Sequence, residues 1–140
     1  MSTNVAEQRR HVRVYFSNLD ETSCQFSSVG KSVGLLSASV LNLSMGGLHL
    51  SIKGGVDFAV GDSLILNSLV HRVGLVCNEL CDEQISVEIR WFFACTEIGR
   101  IDIGCQFLSF TEKSRSSIDN LISLKINEYQ NAGSLPIMSL

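Results

Sequence analysis

At 140 residues the chain is long enough for one domain with a single core and too short for two ordinary ones. Its 45% hydrophobic and 18% charged residues describe a foldable protein, and no apolar run nears the roughly 20 residues that span a bilayer. With no apolar leader either, the expectation is a cytoplasmic protein without membrane insertion.

The net charge of −3 argues against a general nucleic-acid binder, and its distribution says more than its total. Residues 1–19 carry Arg9, Arg10 and Arg13 against Glu7, a local excess of +2. The remainder holds eight Lys/Arg against thirteen Asp/Glu, a balance of −5. A basic segment on an acidic body points to a local anion site.

In chain order, residues 1–8 are polar and aperiodic, which predicts a flexible tail. Short β-rich runs then alternate with turn signals. Residues 12–17 alternate and predict a first strand. Residues 24–28 begin a second, with Gly30-Lys31 a turn or bulge before residues 33–41 continue it. Residues 47–52 alternate with Leu48, Leu50 and Ile52 on one face, which turns His49 outward as a surface residue.

Lys53-Gly54-Gly55 ends that strand, and Gly61-Asp62 leads into the next at 63–70. Residues 74–80 and 85–96 are expected to pair antiparallel across an acidic turn at 81–84, and 100–110 make the last strand. The period then changes: Ile118, Leu121, Ile122, Lys125 and Tyr129 fall on one helical stripe, Lys125 contributing its stem. Thr111 or Ser114 is the expected cap, with Gly133 and Pro136 beyond the end. Strands followed by one helix imply a barrel or half-open sandwich plugged at one end.

Five cysteines at irregular spacing fit reduced thiols packed in the core better than a disulfide framework. Cys77 and Cys81 could supply two zinc ligands, but a structural zinc needs four and no second pair is suitably spaced. His11, His49 and His71 have no Cys or acid partner nearby in sequence that would favour a nucleophile. No glycine-rich phosphate loop opens a helix. The expectation is a non-enzyme without a metal or other cofactor.

Two motifs carry the chemistry. Arg9 and Arg13 present guanidinium forks, which bind phosphate oxygens or another pair of acceptors bidentately; Arg10 between them is a third candidate contact. About thirty residues later comes Asn42-Leu43-Ser44-Met45-Gly46-Gly47. There Asn42 offers a carbonyl to an N–H donor, and Ser44 a hydroxyl to an anion. Gly46 and Gly47 allow positive φ and close approach of backbone N–H groups to an anion. The same stretch also reads as a hairpin turn with local Asn and Ser hydrogen bonds. Trp91 has two readings as well, a stacking platform for a planar ligand or a core residue of the run 89–93.

Arg9-x-x-x-Arg13 followed by Asn42-x-Ser44-x-x-Gly47 resembles the paired signatures of the PilZ domain family, which binds cyclic di-GMP. Further similarity lies at residues 43–48, at Gly61-Asp62-Ser63-Leu64, at Glu88-Ile89-Arg90-Trp91, and at 103–108 with its Gly104-x-x-Phe107. The resemblance covers residues 8–128. It implies a six-stranded antiparallel β-barrel with a C-terminal α-helix over residues 9–131, and a further tail at 132–140. It also implies that the ligand sits outside the barrel, clamped by the N-terminal arginines. A receptor of this kind would act in trans on a protein partner. The same fold also serves as an interaction module that does not bind the nucleotide.

Overall fold

A computed structural model describes residues 12–17, 21–30, 34–54, 57–73, 76–81, 84–95 and 97–131. The expected tails at 1–8 and 132–140 lie outside the described residues. The elements are β1 (Val14–Tyr15), β2 (Thr22–Ser28), β3 (Leu36–Leu43), β4 (Gly47–Lys53), β5 (Ser63–Val73), β6 (Val76–Cys81), β7 (Ile85–Cys95), β8 (Arg100–Ser109) and α1 (Glu112–Asn131). Six strands close in the order β3-β2-β5-β7-β8-β4, with β4 returning to β3. Closure removes the free sheet edges that an open sandwich would leave.

The barrel interior follows the period-2 alternation of its strands. Phe26, Leu43, Leu50, Leu64, Leu66, Ile85, Ile89 and Ile103 are all 1% exposed or less. Each such side chain contributes roughly 1.5–3 kcal/mol on burial. Cys24 and Cys105 are free thiols in this interior, and burial raises both, Cys105 to about 12. They therefore stay protonated and pack as small hydrophobes.

Two strand expectations need correction. Residues 33–41 do not continue the second strand, because the chain reverses and β3 pairs antiparallel with β2. Gly30 and Gly34, at φ 81° and 68°, supply left-handed backbone on either side of that reversal. Nor does β6 pair with β7; it pairs with β5 at residues 69–73, and β7 pairs with β5 at 63–66. β6 and β7 therefore run in the same direction along one edge of β5, and the expected acidic turn falls in part outside the described residues.

Thr111 caps α1, its Oγ1 accepting the Ser114 N–H at 3.1 Å. Ile118, Leu121 and Ile122 form the expected buried stripe, and α1 lies against β1 and β6. Lys125 does more than lay down its stem. Its ammonium is buried and donates to Glu21 at 2.6 Å and Glu128 at 3.0 Å, beside the rings of Phe16 and Tyr129. Burial disfavours both charges, yet the hydrogen bonds prevail: Glu21 is held below and Lys125 above their ordinary values. Tyr129 completes the strap. Its hydroxyl accepts the Tyr15 N–H at 2.8 Å and donates to the Tyr15 carbonyl at 2.5 Å, so helix and β3 hold β1 from opposite sides.

Among the described residues, no helix is long and apolar enough to cross a membrane. Among them also, no group of three or more His, Cys, Asp or Glu could hold a metal ion. The side chains of Cys77 and Cys81 lie outside what the structure describes.

Candidate functional site

The outer barrel wall carries a cavity of about 630 Å³ lined by Arg13, Asn42, Ser44, Gly46, Gly47, His49, Arg90, Trp91 and Gln106, among others. Its floor is a row of residues opposite one another on neighbouring strands. Tyr15 faces Asn42, Asn42 faces His49, His49 faces Gly104, and Gly104 faces Trp91. The row runs β1-β3-β4-β8-β7 and is set by register alone.

Two irregularities turn Asn42 and Trp91 to the outside. Alternation from Val40 would turn Asn42 into the barrel, and alternation from Ile89 would turn Trp91 inward. The register shifts between Val40 and Asn42 and again between Ile89 and Trp91. Each bulge adds one residue and moves the next side chain to the opposite face. Val40 and Ile89 stay fully buried, while Trp91 is 45% exposed. The core reading of Trp91 is thereby corrected. The Gly61-Asp62 turn braces the second bulge through Gly61 N–H to the Ile89 carbonyl at 2.8 Å and Ile89 N–H to the Asp62 carbonyl at 2.9 Å.

Gly104 is the row's empty position. A Cβ there would lie 2.1 Å from Trp91 Nε1 and 2.3 Å from its Cε2, so the indole lies on the bare backbone. His49 meets Trp91 with ring centroids 4.8 Å apart at 71°, an edge-on contact. Its Nδ1 faces the Asn42 amide nitrogen at 3.1 Å, and its Nε2 faces Asp102 Oδ2 at 3.7 Å. The second distance is Coulombic rather than a hydrogen bond. Burial, assisted by Arg13, lowers the His49 pKa, and Asp102 only partly opposes it, so the ring is neutral near physiological pH. His49 is thus part of the floor rather than a free surface residue.

The Ser44–Gly47 turn closes the cavity and is satisfied within itself. Ser44 Oγ accepts the Gly46 N–H at 3.1 Å, and the Ser44 N–H donates to the Gly47 carbonyl at 2.9 Å. These are the local turn bonds that such a sequence favours. The positive φ expected at Gly46 and Gly47 is not found, since the positive-φ glycines among the described residues are 30, 34, 54, 61 and 99. Gly47 serves close approach instead: a Cβ would sit 2.1 Å from the Cys105 carbonyl oxygen of β8.

Arg13 lines the cavity one residue before β1, so the Tyr129 strap and the β1–β3 pairing set its position. Arg9 and Arg10 lie outside the described residues. A second guanidinium comes from Arg90, the extra residue of the β7 bulge, which donates to Gln106 Oε1 at 2.8 Å and pairs with Glu88 at 3.4 Å. Sequence reading missed His49, Arg90, Gly104 and Gln106. Arg90, Gly104 and Gln106 lay in the stretches 88–91 and 103–108 that carry the resemblance, yet the face each takes depends on a register that the chain does not state. The site offers a flat aromatic face, amide and imidazole groups, and two arginines. That set suits a planar heterocycle carrying an anion.

No curated protein matches the chain. Solved structures do, although their low identity speaks for the fold alone. The PilZ domain of YcgR from Escherichia coli, solved with c-di-GMP, has a TM-score of 0.62 at 12% identity, covering 91% of this chain and 98% of that one. The MrkH–c-di-GMP complex of K. pneumonia has a TM-score of 0.63 at 16% identity, over 89% and 55%. The inhibitor of motility MotI/DgrA of Bacillus subtilis has a TM-score of 0.56 at 17% identity, over 85% and 52%. The chain thus spans about half the length of the last two. Residues 7–124 match the family model described as PilZ domain, most of the chain, and with the closed six-stranded barrel and C-terminal helix this makes the protein a member of the PilZ domain family.

Proposed function

We propose that this protein is a non-enzymatic receptor for cyclic di-GMP, working without a further cofactor. The observation that carries the reading is that Arg13, Asn42 and Trp91, from three separate strand regions, line one outward cavity on a PilZ barrel. Two of the similar structures contain c-di-GMP.

In this reading one guanine stacks on the exposed face of Trp91, and the Asn42 carbonyl accepts from its N–H edge. Arg13, with Arg9 and Arg10 from the preceding segment, clamps phosphate and the guanine O6/N7 edge. Ser44, Gly46 and Gly47 act as a preformed floor, so the protein adds little ordering cost beyond the arginine segment. Arg90 and Gln106 supply polar contacts at the rim.

Output follows from ordering that segment on the ligand, an order–disorder switch. It would alter the surface offered to a protein partner in trans. The site is built for a small anionic ligand rather than for a nucleic acid or a membrane, and we place the receptor in the cytoplasm.

Titration calorimetry with cyclic di-GMP, and cyclic di-AMP as control, tests the reading. Arg9→Ala and Arg13→Ala should each cost about 1.5–3 kcal/mol of binding, the range for hydrogen bonds to charged groups. Unchanged affinity in both variants would remove the clamp. No heat with the unmodified protein would leave an interaction module of the same fold.

A further inference from the structure

We propose that Asp102 and His49 are positioning residues that orient the Asn42 side chain, so that its carbonyl oxygen faces the cavity and selects guanine over adenine. The proposal rests on the receptor reading above and deepens it by assigning base specificity.

The geometry forms a chain of three groups. His49 Nε2 faces the Asp102 carboxylate at 3.7 Å, and its Nδ1 faces the Asn42 amide nitrogen at 3.1 Å. A neutral imidazole carries one N–H and one acceptor nitrogen. With the N–H on Nε2, it points at the carboxylate and Nδ1 accepts from Asn42. With the N–H on Nδ1, the Nε2 lone pair would face a carboxylate oxygen, a repulsive arrangement. Asp102 therefore sets the His49 tautomer, as a carboxylate behind an imidazole commonly does. The tautomer in turn sets the Asn42 amide, whose NH₂ is committed toward His49.

What Asn42 turns the other way is its carbonyl. A guanine edge presents two adjacent donors to it, N1–H and N2–H, whereas adenine presents one N6–H donor beside an N1 acceptor that repels the carbonyl. Asn42 is only 7% exposed, and His49 is wedged against Trp91, so neither side chain swings freely. Asp102 is absent from the cavity lining and acts only through His49.

Acid reverses the arrangement. Protonated His49 bears N–H on both nitrogens, its Nδ1–H meets the Asn42 NH₂, and relief requires the amide to flip. The charged groups facing His49 are Asp102 from β8 and Arg13 from the segment before β1, with Arg90 of β7 across the cavity. Burial and Arg13 delay that protonation, which places the transition on the acid side of the ordinary histidine value. A flipped amide presents donors to a donor edge, so guanine binding weakens.

Two measurements on the full chain test this, one needing no ligand. In ¹⁵N NMR of the free protein at about pH 7.5, His49 is expected as the Nε2–H tautomer; the Nδ1–H tautomer would overturn the proposal. By calorimetry, cyclic di-GMP affinity should fall about 3- to 10-fold, the worth of one hydrogen bond, between about pH 7.5 and a pH on the acid side of the His49 transition, which titration of the same NMR signals locates. In Asn42→Asp, whose carboxylate offers an oxygen on either side, that fall should vanish. Asp102→Asn should lower the preference for cyclic di-GMP over cyclic di-AMP by a similar factor. Affinity that rises on acidification would show His49 acting as a plain cation toward phosphate, and would overturn the relay. Absence of binding at both pH values, with the Nε2–H tautomer intact, would sink the receptor reading while the relay geometry stands.

Discussion

Replacing Gly104 with alanine puts the fold and the site in one experiment. The new Cβ would lie 2.1–2.8 Å from three atoms of the Trp91 indole, where ordinary contact begins near 3.4 Å. The ring must move by roughly 1 Å or more, and His49 blocks it on one side at 4.8 Å between centroids. The open direction is toward solvent. Trp91 is 45% exposed, so about half of its ~250 Å² is at stake. At ~25 cal/mol per Å², full expulsion costs about 3 kcal/mol, and a partial shift about 1–2 kcal/mol. Loss of the stacking face should cost cyclic di-GMP binding a further ~1–3 kcal/mol. Urea unfolding, the fluorescence of this lone tryptophan and calorimetry read the three effects. Because the mechanism runs through one contact, Gly104→Ala in a Trp91→Ala background should be nearly neutral for stability, giving strong non-additivity. A Gly104→Ala protein with stability, emission and affinity all unchanged would refute the reasoning. So would equal destabilisation in both backgrounds.

Tyr129→Phe removes the hydroxyl that bonds both backbone groups of Tyr15. It should cost about 1–3 kcal/mol of stability and, by loosening β1 beside Arg13, weaken cyclic di-GMP binding severalfold; unaltered affinity would show that β1 is held by β3 alone. Glu21→Gln should cost about 1–3 kcal/mol near neutral pH, less than a fully broken buried pair because Glu128 still holds Lys125. The sign with pH follows from the lowered Glu21 pKa. Its contribution is present above its unfolded value of 4.5 and is lost as pH falls through the folded value. The stability gap between the two proteins should therefore close as pH falls from 4.5 through the folded Glu21 value. His71, whose pKa burial lowers from 6.5 while the Glu21 charge opposes the shift, loses that opposition in Glu21→Gln, so the variant should also be more acid-sensitive at higher pH before the gap closes. A gap independent of pH would assign the loss to packing rather than charge.

Most of the barrel was legible in the chain. Leu48, Leu50 and Ile52 alternate cleanly, and all three are buried. Ile118, Leu121 and Ile122 keep helical spacing, and all three are buried too. Such signals are local, because a strand or helix must bury one face whatever it packs against. Asn42, Gly47 and Arg13 were visible as chemistry for the same reason, since their types and spacing are written in the chain.

The errors fell where pairing partners decide. Nothing in residues 74–80 states which strand they join, and the edge of β5 was long enough to take both β6 and β7. Glycine at 47 and 104 was required by what lies across the sheet, a carbonyl of β8 and the indole of β7, rather than by its own φ. What the sequence determined by itself was the barrel, its helix, and a set of guanine- and phosphate-competent side chains. Tertiary structure alone decided that Asn42 and Trp91 face outward onto one row. Simple alternation sends both into the core, and one extra residue in each of β3 and β7, visible only in the register with β4 and β8, reverses that direction.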